Sequence, residues 1–539
     1  MRQISRRGFL GSGAASLLTL TAVPGWLRQG GQADLVIRNG RIYDGTGAAA
    51  VAGDVAIAGG RITAIGRGLT SRGVEEIDAR GLAVAPGFID IHSHADGSLS
   101  DDPRAESVIR QGVTTIVAGQ DGSSRAPRGA DGSFAVLFTS IEGASPSVNV
   151  ASMVGLGTIR GIVVGNADRR ATAEELQRMT GLVERAIADG ACGASSGLEY
   201  TPGAFANVDE LTALCRPLAA RRLPYATHMR NEDDRLLESI DESIAVARGA
   251  GCPLQISHLK TQGPRNWKKL DDVFARIDRA RGDGVDVAFD RYPYIAYQTG
   301  LTNLFPIWSR EGGTDAFFGR LDAAATSTRI RTETLAKVAL IGGWDNVMIA
   351  GVRTDEDRAA EGKRVGTFAK SLGQDPYEYT VALLRRNRGS VGMVGFAMSE
   401  ENLDRILAHP QGMVCSDGGG FAIDGATRRG SPHPRGLGTF PRVLGRYVRE
   451  RKALTLESAI QKMTSLPASR LRLTDRGRLA VGLAADVVIF DPARVIDRAT
   501  YEQPFQYPDG IGVVIVNGMV ALREGVRGQT GAGRALRPL

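Results

Sequence analysis

Residues 88–94 read Phe88-Ile89-Asp90-Ile91-His92-Ser93-His94, an apolar run that delivers two histidines at i and i+2. Side chains alternate faces along a strand, so His92 and His94 project the same way. Two imidazoles aimed at one point, with Asp96 just beyond, suit a divalent cation. The chain has 6 histidines, and further candidates close other apolar runs. His228 ends PYATH at 224–228, His258 ends LQISH at 254–258, and Asp417 follows GMVCS at 412–416. In a barrel of parallel strands every strand C-terminus opens on one face, where active sites form. One strand-end histidine is more often structural than ligating. Four of them and an aspartate, each at a strand terminus, are poorly explained by unrelated structural roles. His409 and His433 lie outside the strands, and His409 reads as structural.

The runs at 112–118, 148–154, 193–198, 224–228, 253–258, 286–289 and 412–415 alternate with helical patterns such as 173–189, 232–250 and 267–281. With the strand that ends at His92 they make eight, the rhythm of an α/β (β/α)8 TIM-type barrel. A stretch over about 300–366 interrupts the rhythm and is expected to cover the barrel mouth. Residues 34–43 and 54–65 read as short strands, with Gly59-Gly60 as a hairpin turn, and 486–490 and 512–517 have the same character. The expected organisation is a small β-sandwich or β-barrel domain built from 33–86 and 475–539, flanking a barrel over 87–474.

Net charge is +7, with Lys and Arg scattered among 59 acidic residues and no basic tract interleaved with aromatics. That argues against a nucleic-acid surface. The segment SRRGFL at 5–10, followed by a weakly apolar run over 11–23, resembles a twin-arginine export signal. The run is too short and too mild for a stable membrane span. Residues 1–32 are therefore expected to be a leader read by the twin-arginine machinery, with the protein periplasmic or extracellular. Cys192, Cys215, Cys252 and Cys415 show no C-x-x-C spacing and are expected to be buried free thiols.

The chain resembles the N-acyl-D-amino-acid deacylases (D-aminoacylases) of the amidohydrolase superfamily. The marks are APGFIDIHSH, GVTTIVAGQDG, SSGLEYTPG, ATHMRNE, ISHLK, FDRYPY, MSEENL, SDG, HPRGLGTFPRVL, KMTSLPASRL, GRLAVGLAADVVIFDP and IVNG, from about residue 34 onward. His-X-His and SDG are superfamily-wide; HPRGLGTFPR and KMTSLPA are narrower. The resemblance implies a zinc-dependent hydrolase, with one or two ions, that cleaves small N-acyl-D-amino acids or D-residue peptides. It implies that His92 and His94 hold one metal position and His228 and His258 the other. Asp417 would then take a proton from the attacking water and pass it to the leaving amine. Lys260, Tyr292 and Arg435 would bind the substrate α-carboxylate.

Two departures stand out. Several relatives carry NCG after strand two, with the Cys as a zinc ligand, where this chain has Gln120-Asp121-Gly122; Leu156 sits where relatives often have histidine. A carboxylate could replace the lost anion. Glu199 ends strand four, where other amidohydrolases place a carboxylated lysine, and it is favoured as the bridge because that position is expected to lie opposite the histidines and its side chain has the longer reach. Asp121 is the alternative, set against an ordinary turn role. Two other functions compete: a cyclic-amide hydrolase of the dihydropyrimidinase kind, and a non-catalytic binding protein on a decayed barrel.

Overall fold

The structure, a computed structural model, describes residues 32–129 and 132–538. The expected leader lies outside the described residues, apart from Gln32. Five strands open the chain: β1 (Gln32–Ile42), β2 (Val51–Ala58), β3 (Arg61–Gly66), β4 (Arg72–Asp78) and β5 (Ala83–Pro86). Gly59 and Gly60 join β2 to β3 with φ of 58° and 75°, the left-handed pair that a tight type I′ hairpin turn needs. Next come β6 (Phe88–Asp90), β7 (Val113–Ala118), β8 (Asn149–Ser152) with its continuation β9 (Val154–Gly155), β10 (Ala194–Gly197), β11 (Tyr225–His228), β12 (Leu254–Ile256) and β13 (Val287–Arg291). After β14 (Ala296–Gly300), β15 (Val347–Gly351) and β16 (Gly392–Phe396), the series resumes with β17 (Gly412–Val414). The chain ends with β18 (Val487–Phe490), β19 (Ile511–Val516), β20 (Met519–Arg523) and β21 (Val526–Arg527).

Parallel pairing runs β6-β7-β8 and β9-β10-β11-β12-β13-β17. Only Met153 separates β8 from β9, so the two form one barrel position. The ring closes between its last and first strands, where Asp417 N donates to His92 O at 2.8 Å and Ser416 N to Asp90 Oδ1 at 2.8 Å. Closure therefore clamps the first and last candidate ligands together. All of β7 (VTTIVA) is buried, as befits a parallel strand covered on both faces. The outer helix Ala173–Asp189 starts at a Thr172/Glu175 capping box and turns Met179, Leu182, Val183, Ala186 and Ile187 inward.

The terminal strands join in one nine-stranded sheet ordered β21-β20-β19-β18-β5-β1-β2-β3, with β4 beside β1. It curls on itself, so that Ile57 and Ile62 share a core with Val487 and Ile515. A buried polar cluster ties this sheet to the barrel. Asn149 Nδ2 donates to Asp486 Oδ2 (3.1 Å), Asn517 N to Asp486 Oδ1 (2.7 Å) and Asn517 Nδ2 to Asn149 Oδ1 (2.7 Å).

The interruption is longer than 300–366. An antiparallel sheet ordered β14-β15 around a central β16 spans Ala296 to Phe396, and helices such as Ala324–Leu340 and Pro376–Arg386 lie between its strands. The far end escapes notice because β16 (GMVGF) is an apolar run of the same composition as a barrel strand. All four cysteines are free and buried. No helix among the described residues is long and apolar enough to cross a membrane.

Candidate metal centre

Each candidate ligand lies at or just past a strand end, and three of them adopt left-handed backbone: Asp121 (φ 53°), His258 (φ 36°) and Asp417 (φ 48°). Such conformations cost on the order of 1–3 kcal/mol each for non-glycine residues and persist only where the surroundings impose them. Around Asp121 the cause is close backbone packing. A Cβ on Gly197 would lie 2.1 Å from the Asp121 carbonyl oxygen, so only glycine lets β10 approach this turn.

The Asp121 carboxylate occupies the centre of the cage. Its Oδ1 lies 3.5 Å from His92 Nε2 and 3.4 Å from His258 Nε2, and its Oδ2 lies 3.4 Å from His94 Nε2. Asp417 Oδ1 sits 3.2 Å from His94 Nε2 and 3.6 Å from His92 Nε2. His228 Nδ1 is 3.0 Å from His258 Nε2. Three ligand sets result, His92/His94/Asp121/Asp417, Asp121/His228/His258 and Glu199/His228/Glu232, and Asp121 belongs to the first two. Glu199, expected to bridge, shares no set with the His92/His94 pair. Its Oε2 reaches His228 Nε2 at 3.3 Å, and it groups only with His228 and Glu232. Asp96, also named as a possible ligand, is outside these sets and lines a different cavity.

Carboxylates stand behind the imidazoles. Asp290 Oδ1 lies 3.6 Å from His92 Nδ1 and accepts from His258 N (2.8 Å), and Glu232 Oε1 lies 3.1 Å from His258 Nδ1. Partners of this kind orient a ligating histidine and set its tautomer. Neither was singled out from sequence. Asp290 (in FDRYPY) and Glu232 (in ATHMRNE) lie inside motifs already quoted, and the one available signal was a buried acid beside a strand-end histidine.

The expected α-carboxylate binders divide. Lys260 is buried and donates to both Glu232 oxygens (2.6 and 2.7 Å), with His258 Nδ1 2.7 Å away. Its charge is already neutralised, so it supports the cage instead of offering a free cation. Arg435 is buried too, its Nη1 2.7 Å from Asp417 Oδ2 and its guanidinium 4.7 Å over the Tyr292 ring. The Tyr292 hydroxyl and Arg435 Nε are buried without hydrogen-bond partners. These groups line a cavity of about 550 Å³ with His94, Asp121, Glu199, His228, His258 and Asp417.

Charge dominates here. Burial opposes the cationic form of His92, yet Asp121 and Asp417 raise its pKa well above the usual histidine range. Burial pushes the Asp417 carboxyl up, but Arg435, His258 and His92 outweigh it and hold the group far below the carboxylate range. Both ring nitrogens of His92 and Oδ1 of Asp121 are buried without hydrogen-bond partners. Leaving such groups unsatisfied costs about 1–3 kcal/mol each. Convergent lone pairs on neutral imidazoles and carboxylates are the donor set of a borderline divalent cation such as zinc. The residues fit that ion.

A model of the amidohydrolase family matches residues 75–293 and 424–521. The chain is 37% identical over 501 residues to the N-acyl-D-glutamate deacylase of Alcaligenes xylosoxydans xylosoxydans, a match that covers 90% of this chain and 93% of that protein. It is 34% identical over 525 residues to the D-aminoacylase of the same organism, covering 93% and 97%. The solved N-acyl-D-glutamate deacylase from Bordetella bronchiseptica, complexed with zinc and a phosphonate inhibitor, superposes with a TM-score of 0.80 at 35% identity, covering 94% of this chain and 100% of that one.

Proposed function

The chain belongs to the amidohydrolase family and, within it, to the N-acyl-D-amino-acid deacylases, and we propose on that footing that it hydrolyses the amide bond of N-acyl-D-amino acids at a zinc centre. The observation that carries the proposal is the buried, unpaired Oδ1 of Asp121, which lines the same cavity as Arg435 and Tyr292, with the unpaired ring nitrogens of His92 behind it. His92, His94, Asp121 and Asp417 would hold one ion, and Asp121, His228 and His258 a second. Bound there, zinc supplies Lewis acidity that brings the pKa of a water down to about 7.

The remaining chemistry belongs to side chains. Arg435 and the Tyr292 hydroxyl bind the α-carboxylate and fix the acyl carbon over the cage, with Glu232 and Lys260 holding His258 in place. Asp417 Oδ1, which faces His92 and His94, accepts a proton from the attacking water as the oxygen–carbon bond forms. It then gives that proton to the amide nitrogen as the carbon–nitrogen bond breaks. The products are a carboxylate and a D-amino acid. Hydrolysis of an N-acetyl-D and N-acetyl-L panel by zinc-loaded protein, followed by amine release, tests this. Turnover of D substrates is expected, and turnover of none of them removes the proposal.

Export through the twin-arginine route, and so a periplasmic or extracellular home, is supported by SRRGFL at 5–10. Fusion of residues 1–32 to a reporter should give export, and Arg6→Lys with Arg7→Lys should abolish it; unchanged export would refute the assignment.

A further inference from the structure

We propose that the amino acid released by this site carries an uncharged side chain, so that N-acyl-D-glutamate and N-acyl-D-aspartate are poor substrates although one relative is a D-glutamate deacylase by name. The inference rests on the deacylase function above and concerns the substrate class. It follows from a count of cations. Among the described residues that line the cavity, Lys260 and Arg435 are the only lysine and arginine. Glu232 takes both oxygen contacts of Lys260, at 2.6 and 2.7 Å. That leaves Arg435, whose Nη1 already meets Asp417 Oδ2 at 2.7 Å and whose unpartnered Nε lies near the unpartnered Tyr292 hydroxyl, for at most a single carboxylate. Every N-acyl amino acid already presents one, on its α-carbon. A second carboxylate finds no counter-charge.

The cations just behind the wall are also engaged. Lys337 donates to Asp233 Oδ2 (2.5 Å) and Gln262 Oε1 (3.2 Å), and Arg310 donates to Asn303 Oδ1 (2.6 Å) and Glu199 O (3.0 Å). Beyond the cage, the wall includes Tyr200, Tyr297, Gln298, Thr299 and Phe421, which are neutral aromatic or hydrogen-bonding groups. Its remaining charge is the Glu199 carboxylate, 4.0 Å from Lys337. An acidic side chain would thus lose water, gain no cation and meet a like charge. The conclusion holds whichever part of this wall receives the side chain and whichever the acyl group.

The test compares isosteric pairs on the zinc-loaded full chain: N-acetyl-D-glutamine against N-acetyl-D-glutamate, and N-acetyl-D-asparagine against N-acetyl-D-aspartate, with N-acetyl-D-methionine as reference. The shapes match within each pair, so kcat/KM reads the charge alone. The amide is expected to exceed the acid by about tenfold to a hundredfold in both pairs, the effect of leaving one buried charge unpaired. A ratio below about tenfold in either pair, with D-methionine turned over, overturns the inference and leaves the deacylase function standing. Failure on all five substrates removes that function, and this inference with it.

Discussion

Replacing Asp121 by Asn should strip metal from both positions of the cage. The Asp121 carboxylate contacts His92, His94 and His258 at 3.4–3.5 Å and belongs to two of the ligand sets. Asn keeps the size but removes the negative charge and turns one acceptor into a donor aimed at imidazole lone pairs. Loss of groups that merely orient ligands lowers metal affinity 10- to 100-fold, so loss of a shared ligand should raise Kd by about 100-fold or more. At a fixed saturating zinc concentration that removes about 2.7 kcal/mol of zinc-linked stabilisation. With an unfolding entropy of roughly 2 cal/mol/K per residue, the zinc-induced rise in Tm should shrink by about 2–3 °C. Thermal unfolding with and without zinc, together with metal analysis after dialysis against a weak chelator, measures both quantities. Glu199→Gln is the control, because Glu199 touches only His228 among the histidines, and it should keep more metal than Asp121→Asn. Full metal in Asp121→Asn beside depletion in Glu199→Gln would refute the placement of the bridge.

Asp417→Asn should fold and keep metal at the Asp121/His228/His258 position, which does not use Asp417, but lose about 10²–10⁴-fold in kcat; near-normal turnover would exclude it as the proton carrier. Lys260→Met leaves Glu232 buried beside its lost partner and should destabilise by about 3–5 kcal/mol, whereas the Lys260→Met/Glu232→Gln double variant should recover much of the loss in thermal unfolding. An additive double variant would contradict that pairing. Arg435→Met removes the partner of Asp417 as well as a carboxylate binder, so kcat should fall as KM rises for N-acyl amino acids; a change in KM alone would show that the ion pair is idle. In metal-free protein, desolvation within the cage works against the charged His94 ring, whose side chain is still 41% exposed, yet Asp121 and Asp417 lift its pKa from 6.5 to about 9. A folded-state pKa above the unfolded value gives stability that is complete below pH 6.5 and lost as pH rises through about 9. The Tm of apo protein should therefore fall across that window; a flat profile would refute the cage's proton affinity.

The histidines were legible because strand periodicity and strand ends are local properties of sequence. His92, His94, His228 and His258 needed only the apolar runs that precede them, and the barrel order then brought them together. The bridge was not legible from such signals. Strand order favoured Glu199, and what brings Asp121 among the histidines is its turn at φ 53° pressed against Gly197, a three-dimensional packing effect. The setting of Lys260 was hidden for a related reason. Its motif context suggested a free cation, but its partner Glu232, 28 residues away, is brought next to it by the adjacent ends of β11 and β12. The interruption was undersized because β16 imitates a barrel strand in composition while pairing antiparallel with β14 and β15.

The small sheet sets a schedule for synthesis. β5 needs β18 as its neighbour, and the two lie about 400 residues apart in the chain. At 5–20 residues per second a ribosome takes about 20–80 s to cover that distance. Throughout that interval the nascent chain carries β1 to β5 with one edge unpaired, the kind of surface that recruits other strands. The barrel's first strand follows β5 directly, so the His92/His94 end of the cage hangs from a sheet that lacks its β18 neighbour until the last segment emerges. A chain truncated before β18 should therefore fail as a whole and aggregate, instead of yielding a barrel that lacks only an accessory domain.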